Sequence, residues 1–347
     1  MSQSLKRVEW IDMAKGVGII LVVLGHIPFR PEILNEWLCS FHMPLFFFLA
    51  GITYNSDKYS NFRVFLQNKI KTLLIPYFIF AGIIWLWRLM EECFRCVRYG
   101  TAINCKYLVK LAMGVIIQIR TTDFGIGVWF IPCIFVAFLL LNGIKKISGK
   151  STLRAGLLSI LCLIIGYLYC TYIDIKLPWG IDAAFVAVGF MAVGNLFRAN
   201  LMCDFHDTRM LGLTMVISLI VNVIFVYLNH ELLHRTVGMW SNNYGNLIFF
   251  LLESLSGILF TIAATNLAKC KLIKRIGHNS IYYYGIHILL VESICSFAVK
   301  IPGVRNSVVI SFFVSILVMI VILAILTWLY PSYERIYNFL IKKVLNR

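Results

Sequence analysis

Ten long apolar stretches constrain this chain more than any other feature of its sequence. Each is close to the roughly 20 residues that a helix needs to cross a bilayer. Because backbone polar groups inside lipid must bond within the protein, such stretches are expected to be helices. The predicted spans are 11–27, 38–54, 72–90, 126–144, 153–173, 181–198, 210–229, 246–266, 281–299 and 307–330. We therefore predict an all-α, polytopic membrane protein, a single membrane domain over 1–347 without a separate soluble domain.

The distribution of charge predicts how the chain is oriented in the membrane. With 60% apolar and 14% charged residues, an ordinary soluble domain is excluded. A net charge of +16 could suggest nucleic acid, but 20 of the 32 lysines and arginines lie in alternate loops on the side of the N-terminus, against 11 on the other side. The positive-inside rule then puts both termini in the cytoplasm. The partner is the lipid bilayer and not nucleic acid, and no cleavable signal peptide is expected.

One long segment between the third and fourth spans is predicted to lie on the outer side. Its apolar part, 103–119, is interrupted by two lysines, which favours an interfacial or re-entrant helix over an eleventh span. The segment also holds Cys93, Cys96 and Cys105, whose pairing the sequence leaves open. A lone C-x-x-C is weak evidence for metal. The histidines and carboxylates show no tight ligand spacing, so no metal site is expected.

The first span carries three ionisable residues on one face. Lys15 and His26 are eleven residues apart, about 1100° of helix rotation, and Asp12 falls within about 40° of the same line. Such residues inside a bilayer are costly and usually functional. The alternative is that Asp12 and Lys15 mark one water boundary and His26 the other.

Depth estimates bring four residues of different spans into the outer third of the membrane. From the helix rise, His26 lies about 22 Å from the cytoplasmic end, His42 about 6 Å below the outer surface and Glu253 about 10 Å down, with Trp129 similarly shallow. A neutral histidine there can act as a general base, and a buried carboxylate can orient it. Glu253 is the first candidate for that partner; a hydrogen bond between helices is the alternative.

Five motifs follow one another along the spans. They are Lys15…His26, with ten residues between; Phe41-His42-Met43-Pro44-Leu45-Phe46-Phe47-Phe48-Leu49-Ala50-Gly51; Lys69-Ile70-Lys71 before Pro76-Tyr77; Gly125-Ile126-Gly127-Val128-Trp129-Phe130-Ile131-Pro132; and Gly277-His278-Asn279-Ser280…Tyr284…His287. In this order, over about 5–330, the chain resembles the acyltransferase-3 family of integral-membrane enzymes. Two departures stand out: lysines replace the usual arginines at positions 15, 69 and 71, and Ala50 replaces the usual serine.

The resemblance implies a donor path from the cytoplasm. Coenzyme A would rest its phosphates near Lys15, Lys69 and Lys71 and send its thioester up to His26, although the last two lysines are equally well explained as topology signals. Ser280, Tyr284 and His287 share a helix face and are expected to line the pantetheine path. His287 is expected only about 9 Å from the cytoplasmic end, too low to be a direct partner of His26. His42 is a further catalytic candidate, and Trp129 and Arg120 are assigned to the acceptor substrate.

The sequence therefore predicts a bacterial inner-membrane O-acyltransferase. Acetyl-CoA is the donor substrate, no cofactor is bound permanently, and the acceptor is a hydroxyl of a cell-envelope glycan or lipid-linked sugar. His26 either deprotonates that hydroxyl or first accepts the acyl group itself. The alternatives are a secondary transporter or glycan exporter, or the same family with a succinyl donor or an amine acceptor.

Overall fold

The computed structural model describes residues 8–121, 127–173, 175–198, 207–233 and 237–345. These described residues are 82% helical and contain no strand, which confirms the all-α class. The helices are α1 Glu9–Gly25, α2 Glu32–Thr53, α3 Phe62–Lys69, α4 Ile75–Tyr99, α5 Cys105–Ile117, α6 Phe130–Ser148, α7 Thr152–Tyr172, α8 Ile181–Phe197, α9 Thr208–Leu233, α10 Leu247–Leu267, α11 Lys271–His278, α12 Ser280–Ala298 and α13 Val308–Leu345.

The described part of the chain has nine helical stretches long and apolar enough to cross a membrane. The predicted first span is the helix α1, which is apolar but only 17 residues long. The polytopic architecture is thus confirmed. The helix expected within 103–119 is present as α5. It packs on α4, because Trp85 Nε1 donates to the Leu108 carbonyl at 3.0 Å and the Tyr77 hydroxyl donates to the Val115 carbonyl at 2.7 Å.

Two predicted spans differ most from the bounds of their helices in the structure. The span expected at 72–90 continues to Tyr99 and is preceded by α3 and a π-helical turn, Ile70–Leu74. The span expected at 307–330 continues through Pro331 to Leu345. In both, charged residues follow the apolar part and the helix runs on. Hydropathy therefore predicts the part of a helix that contacts lipid, but it does not predict where the helix begins and ends.

The chain divides into two compact units. The terminal unit combines 1–35 with 270–347, and the central unit comprises 36–269. The expectation of a single domain stays a prediction.

In the terminal unit, α1 packs against α11, α12 and α13. Two glycines allow α11 to lie directly on α1: a Cβ on Gly16 would strike the Ile273 carbonyl, and a Cβ on Gly277 would strike the Asp12 carbonyl. The hydroxyl of Tyr282 donates to the Leu326 carbonyl at 3.1 Å, which ties α12 to α13. The first half of α1 is therefore covered by a short helix, and α12 begins beside it.

In the central unit, α8 packs against α6 and α7, and α9 packs along α10. The helix α2 contains Pro44, which cannot donate to the Ser40 carbonyl one turn earlier. The Ser254 hydroxyl of α10 donates to that carbonyl instead, at 2.6 Å. A proline inside a membrane helix is tolerated where a neighbouring helix satisfies the freed group in this way.

The predicted orientation is tested by thiol labelling of two exposed positions, Cys105 at the start of α5 and Lys146 near the end of α6. We expect a membrane-impermeant maleimide to modify Cys105 in intact spheroplasts, and a cysteine introduced as Lys146→Cys to react only after permeabilisation. Peptide mass spectrometry separates these sites from the other cysteines. The opposite pattern would invert the topology and place His26 towards the cytoplasm.

Candidate active site

His26 stands at the carboxyl end of α1, where its ring is exposed to a cavity. Its Nδ1 lies 2.8 Å from the Val22 carbonyl oxygen. Because a carbonyl can only accept, Nδ1 carries the hydrogen, and the Nε2 of the neutral ring keeps its lone pair. The backbone of α1 therefore sets the tautomer that a general base requires.

His287 packs directly against His26. The two ring centroids are 4.7 Å apart and the rings meet edge to face, at 75°. His287 is fully buried (0% exposed), and its Nδ1 donates to the Tyr284 carbonyl at 2.6 Å. Its Nε2 has no hydrogen-bond partner among the described residues. Two imidazoles, each with Nδ1 bonded to its own helix, thus share one site.

The expectation that His287 lies too low to contact His26 is wrong. It assumed that α12 starts at the cytoplasmic end of the bundle. Instead, α11 runs beside the first half of α1, with Gly277 against Asp12 and Gly16. The helix α12 starts at Ser280, past this contact along α1. The seven residues from Ser280 to His287 then bring His287 to the level of His26.

The cavity beside His26 has a volume of about 830 Å³. It is formed by the loop that follows α1, one side of α12 and the turn before α13. Its charged lining consists of Arg30, Glu292 and Arg305. Sequence patterns did not point to these three residues, because Arg30 and Arg305 lie in loops and Glu292 lies about 140° around α12 from His287.

The opposite end of α1 is basic. The exposed or half-buried cations of α11 are Lys271, Lys274 and Arg275, and Lys274 forms an ion pair with Glu9. Lys15 is half-buried on α1, and Asp12 is buried, with His278 Nδ1 3.9 Å from its carboxylate. From Glu9 to His26 the helix rise amounts to about 25 Å. The terminal unit alone thus holds a cationic end, the adjacent histidines His26 and His287, and a cavity.

Three predicted site residues belong to the central unit, and their relation to His26 stays a prediction. The carboxylate of Glu253 in α10 accepts from Asn229 Nδ2 of α9 at 3.3 Å, a bond between helices as the alternative proposed. His42 is buried in α2, with Nδ1 2.5 Å from the Leu38 carbonyl oxygen. Trp129 is buried at the start of α6.

Arg120 lies in a buried polar network of the central unit. It and Asp182 are both 0% exposed, and its Nη2 bonds the Asp182 carboxylate at 2.5 Å and the Asn242 side chain at 2.7 Å. The guanidinium also stacks over the Trp129 ring, 5.3 Å from its centroid. Sequence patterns did not point to Asp182 and Asn242. An aspartate at the start of an apolar span, such as Asp182, is usually interpreted as marking the membrane boundary. The role of Arg120 and Trp129 towards the acceptor stays a prediction.

The two lysines before α4 occupy different environments. The Lys69 ammonium lies 3.3 Å from the centroid of the Phe138 ring, and its side chain is buried. Lys71 is exposed on the π-helical turn. Their contact with the phosphates of coenzyme A stays a prediction. So does that of Ser280, which begins α12, and of Tyr284, whose carbonyl orients His287.

The described residues contain no group of three histidine, cysteine, aspartate or glutamate side chains arranged to hold a metal. Cys93, Cys96 and Cys105 are free thiols in the structure.

The fold and the site define a multi-pass helical membrane protein with an imidazole at the wall of a cavity. The family model described as an acyltransferase domain matches residues 8–329, nearly the whole chain, so the protein belongs to the acyltransferase-3 family. It is therefore a membrane acyltransferase. No curated protein and no solved structure gives a significant match to the chain. Of the fourth motif, Gly125 and Ile126 lie outside the described residues.

Proposed function

We propose that the protein is an O-acetyltransferase of the bacterial inner membrane. It moves an acetyl group from cytoplasmic acetyl-CoA to a hydroxyl of a cell-envelope glycan or lipid-linked sugar. The observation that carries the proposal is the tautomer of His26. Its Nδ1 is held by the Val22 carbonyl, so its Nε2 lone pair is available at the wall of an 830 Å³ cavity.

The donor would approach from the basic end of the terminal unit. Lys15 lies eleven residues before His26, about 16 Å along the helix, which is comparable to an extended pantetheine arm. The cations of α11 and Lys15 are at the correct end to hold the phosphates of acetyl-CoA. The thioester would then reach the two histidines, while the acceptor occupies the cavity.

The chemistry requires one proton to move. In the direct scheme, His26 Nε2 takes the proton of the acceptor hydroxyl as its oxygen attacks the thioester carbonyl. The carbon–sulfur bond breaks, and the imidazolium returns the proton to the departing thiolate. In the two-step scheme, Nε2 attacks the thioester carbonyl, the carbon–sulfur bond breaks, and the thiolate of coenzyme A leaves an acetyl-imidazolium on His26. The acceptor hydroxyl then attacks this acetyl group, the carbon–nitrogen bond breaks, and the hydroxyl proton goes to the thiolate. Both schemes need the same unprotonated Nε2.

His287 is a positioning residue in this proposal. Its ring packs edge to face on His26 and fixes the ring that performs the chemistry. Its own orientation is set by the Tyr284 carbonyl. Since it is fully buried behind His26, it also keeps water from that side of the ring.

The proposal is tested with purified protein and acetyl-CoA carrying a radiolabelled acetyl group. We expect free thiol to be released and the label to appear in an added glycan acceptor. Succinyl-CoA and an amino-sugar acceptor should be poorer substrates in parallel reactions. If no thiol is released with any of the acceptors or with water, the proposal is contradicted. A preference for succinyl-CoA would show that the donor is succinyl-CoA and not acetyl-CoA.

Lys15→Ala should raise the KM for acetyl-CoA about tenfold and leave kcat nearly unchanged. A phosphate contact far from the reacting carbonyl is made equally in the ground and transition states, and a charge-assisted hydrogen bond contributes roughly 1.5–3 kcal/mol. Lys15→Arg keeps the charge and should be tolerated. Steady-state kinetics with varied acetyl-CoA decide the matter, and a fall in kcat at unchanged KM would show that Lys15 is not a phosphate anchor.

A further inference from the structure

We infer that the acceptor of this enzyme is anionic, and that Arg30 and Arg305 bind its carboxylate or phosphate group inside the cavity beside His26. The inference rests on the proposed function, since it assigns the chemical class of the substrate that occupies the same cavity. Four observations support it: the lining of the cavity, the fixed position of Arg30, the charge of Arg305, and the distance of the cavity from the donor's phosphates.

Arg30 is fixed at the cavity wall. Its Nη1 donates to the Ile27 carbonyl at 2.6 Å, its Nε donates to the Asn35 side-chain oxygen at 3.0 Å, and its Nη2 bonds that same oxygen. A guanidinium is planar and has five N–H donors, so one that is held in place presents a rigid charged edge. Such an arginine binds a carboxylate or phosphate with little loss of side-chain freedom.

Arg305 supplies a second, exposed cation on the turn between α12 and α13. Its side chain makes no hydrogen bond or ion pair with any other described residue. Its charge is therefore not neutralised by the described part of the protein. A bound anion would give it a partner.

The remaining lining agrees with an anionic sugar. Glu292 is the one carboxylate among the described residues of the lining, against two arginines, so the cavity carries an excess of positive charge. Asn306, Ser307 and Ser311 add polar groups suited to hydroxyls. Inside a partly enclosed cavity an ion pair is stronger than in bulk water.

The donor's own phosphates are a poor explanation for these arginines. The cationic end formed by α11 and Lys15 lies at the start of α1, and the cavity lies at its other end, about 25 Å away. A molecule of acetyl-CoA with its acetyl group at His26 and its phosphates at that end cannot also place phosphates in the cavity. The positive charge there is thus left for the acceptor.

The test compares three acceptors that differ only at carbon 6: p-nitrophenyl β-D-glucoside, the matching glucuronide, and the glucoside 6-phosphate. Thiol release from acetyl-CoA is followed in detergent with purified wild type and Arg305→Gln. We expect at least one charged acceptor to have a KM about tenfold below that of the glucoside, and Arg305→Gln to remove most of this preference. The better of the two charged acceptors identifies the anion.

Two variants complete the design. Lys300→Gln removes an exposed cation five residues before Arg305 that does not line the cavity, and it should keep the preference. Arg30→Gln should reduce the preference as Arg305→Gln does; since Arg30 also holds its loop, Arg305→Gln is the primary variant.

The outcomes separate the inference from the proposed function. Equal KM values for the three acceptors, with thiol release intact, would overturn the anionic acceptor and leave the acetyltransferase standing. A preference that survives in the Arg30→Gln/Arg305→Gln double variant would also overturn it. Absence of thiol release with every acceptor and with water would overturn both.

Discussion

His26→Ala should lower acetyl transfer by about 10²–10⁴-fold, the usual contribution of a positioned general base. The ring donates to the Val22 carbonyl of its own helix, faces the cavity and packs edge to face on His287. Because a ring contact of this kind stabilises a fold by only about 0.5–1.5 kcal/mol, we expect normal membrane expression and a melting temperature lowered by no more than a few degrees. Turnover is measured as thiol release at saturating acetyl-CoA.

The matched control is His278→Gln, which alters a half-exposed histidine at the other end of the terminal unit. At saturating acetyl-CoA it should retain nearly all the turnover of the wild type, because His278 lies at the end proposed for the donor phosphates and not at the reacting atoms. Wild-type turnover in His26→Ala would remove both the general-base and the acetyl-imidazole scheme, because each needs the same Nε2.

Asp182→Ala should destabilise the protein by about 3–5 kcal/mol, since it leaves the Arg120 charge buried without its carboxylate. Both side chains are fully buried, and their contact is 2.5 Å. Denaturant or thermal unfolding in detergent measures the change. Replacing both residues, as Arg120→Met with Asp182→Leu, should recover a large part of the loss, because a well-packed apolar pair avoids the unpaired charge.

The control for this prediction is the surface pair Arg88 and Glu91, 2.8 Å apart, whose side chains are 24% and 47% exposed. Arg88→Gln should cost less than about 1 kcal/mol, the usual value for exposed ion pairs. If Asp182→Ala keeps its stability and instead raises the KM for the acceptor, the polar network around Arg120 serves the substrate, as the sequence suggested.

Much of the fold was predictable because membrane-spanning helices are recognisable as long apolar stretches in the sequence. The helices followed from the sequence, and so did the choice of His26 as the candidate base, whose role stays a prediction. Bounds failed where polar residues extend a helix, as in α4, which continues through Glu91 and Arg95. An apolar pattern reports contact with lipid, and helical hydrogen bonding does not stop where that contact ends.

The site was less predictable, because it depends on how the helices dock. The contact of His287 with His26 depends on α11 lying against Gly16, which no periodicity in the sequence encodes. Glu292 lines the cavity from the side of α12, and Arg305 lines it from the turn before α13. Residues of this kind can be identified as lining the cavity only from the three-dimensional packing of the helices.

The central claim is that His26 catalyses acetyl transfer across the membrane. In it, the donor's phosphates lie at the start of α1, and the acceptor lies in the cavity at its other end. The claim is tested in sealed proteoliposomes with p-nitrophenyl β-D-glucuronide and the matched glucoside trapped inside and radiolabelled acetyl-CoA outside. We expect labelled ester in the lumen with the wild type and none above background with His26→Ala. Labelled ester formed only when donor and acceptor share one compartment, or formed equally by His26→Ala, would contradict the claim.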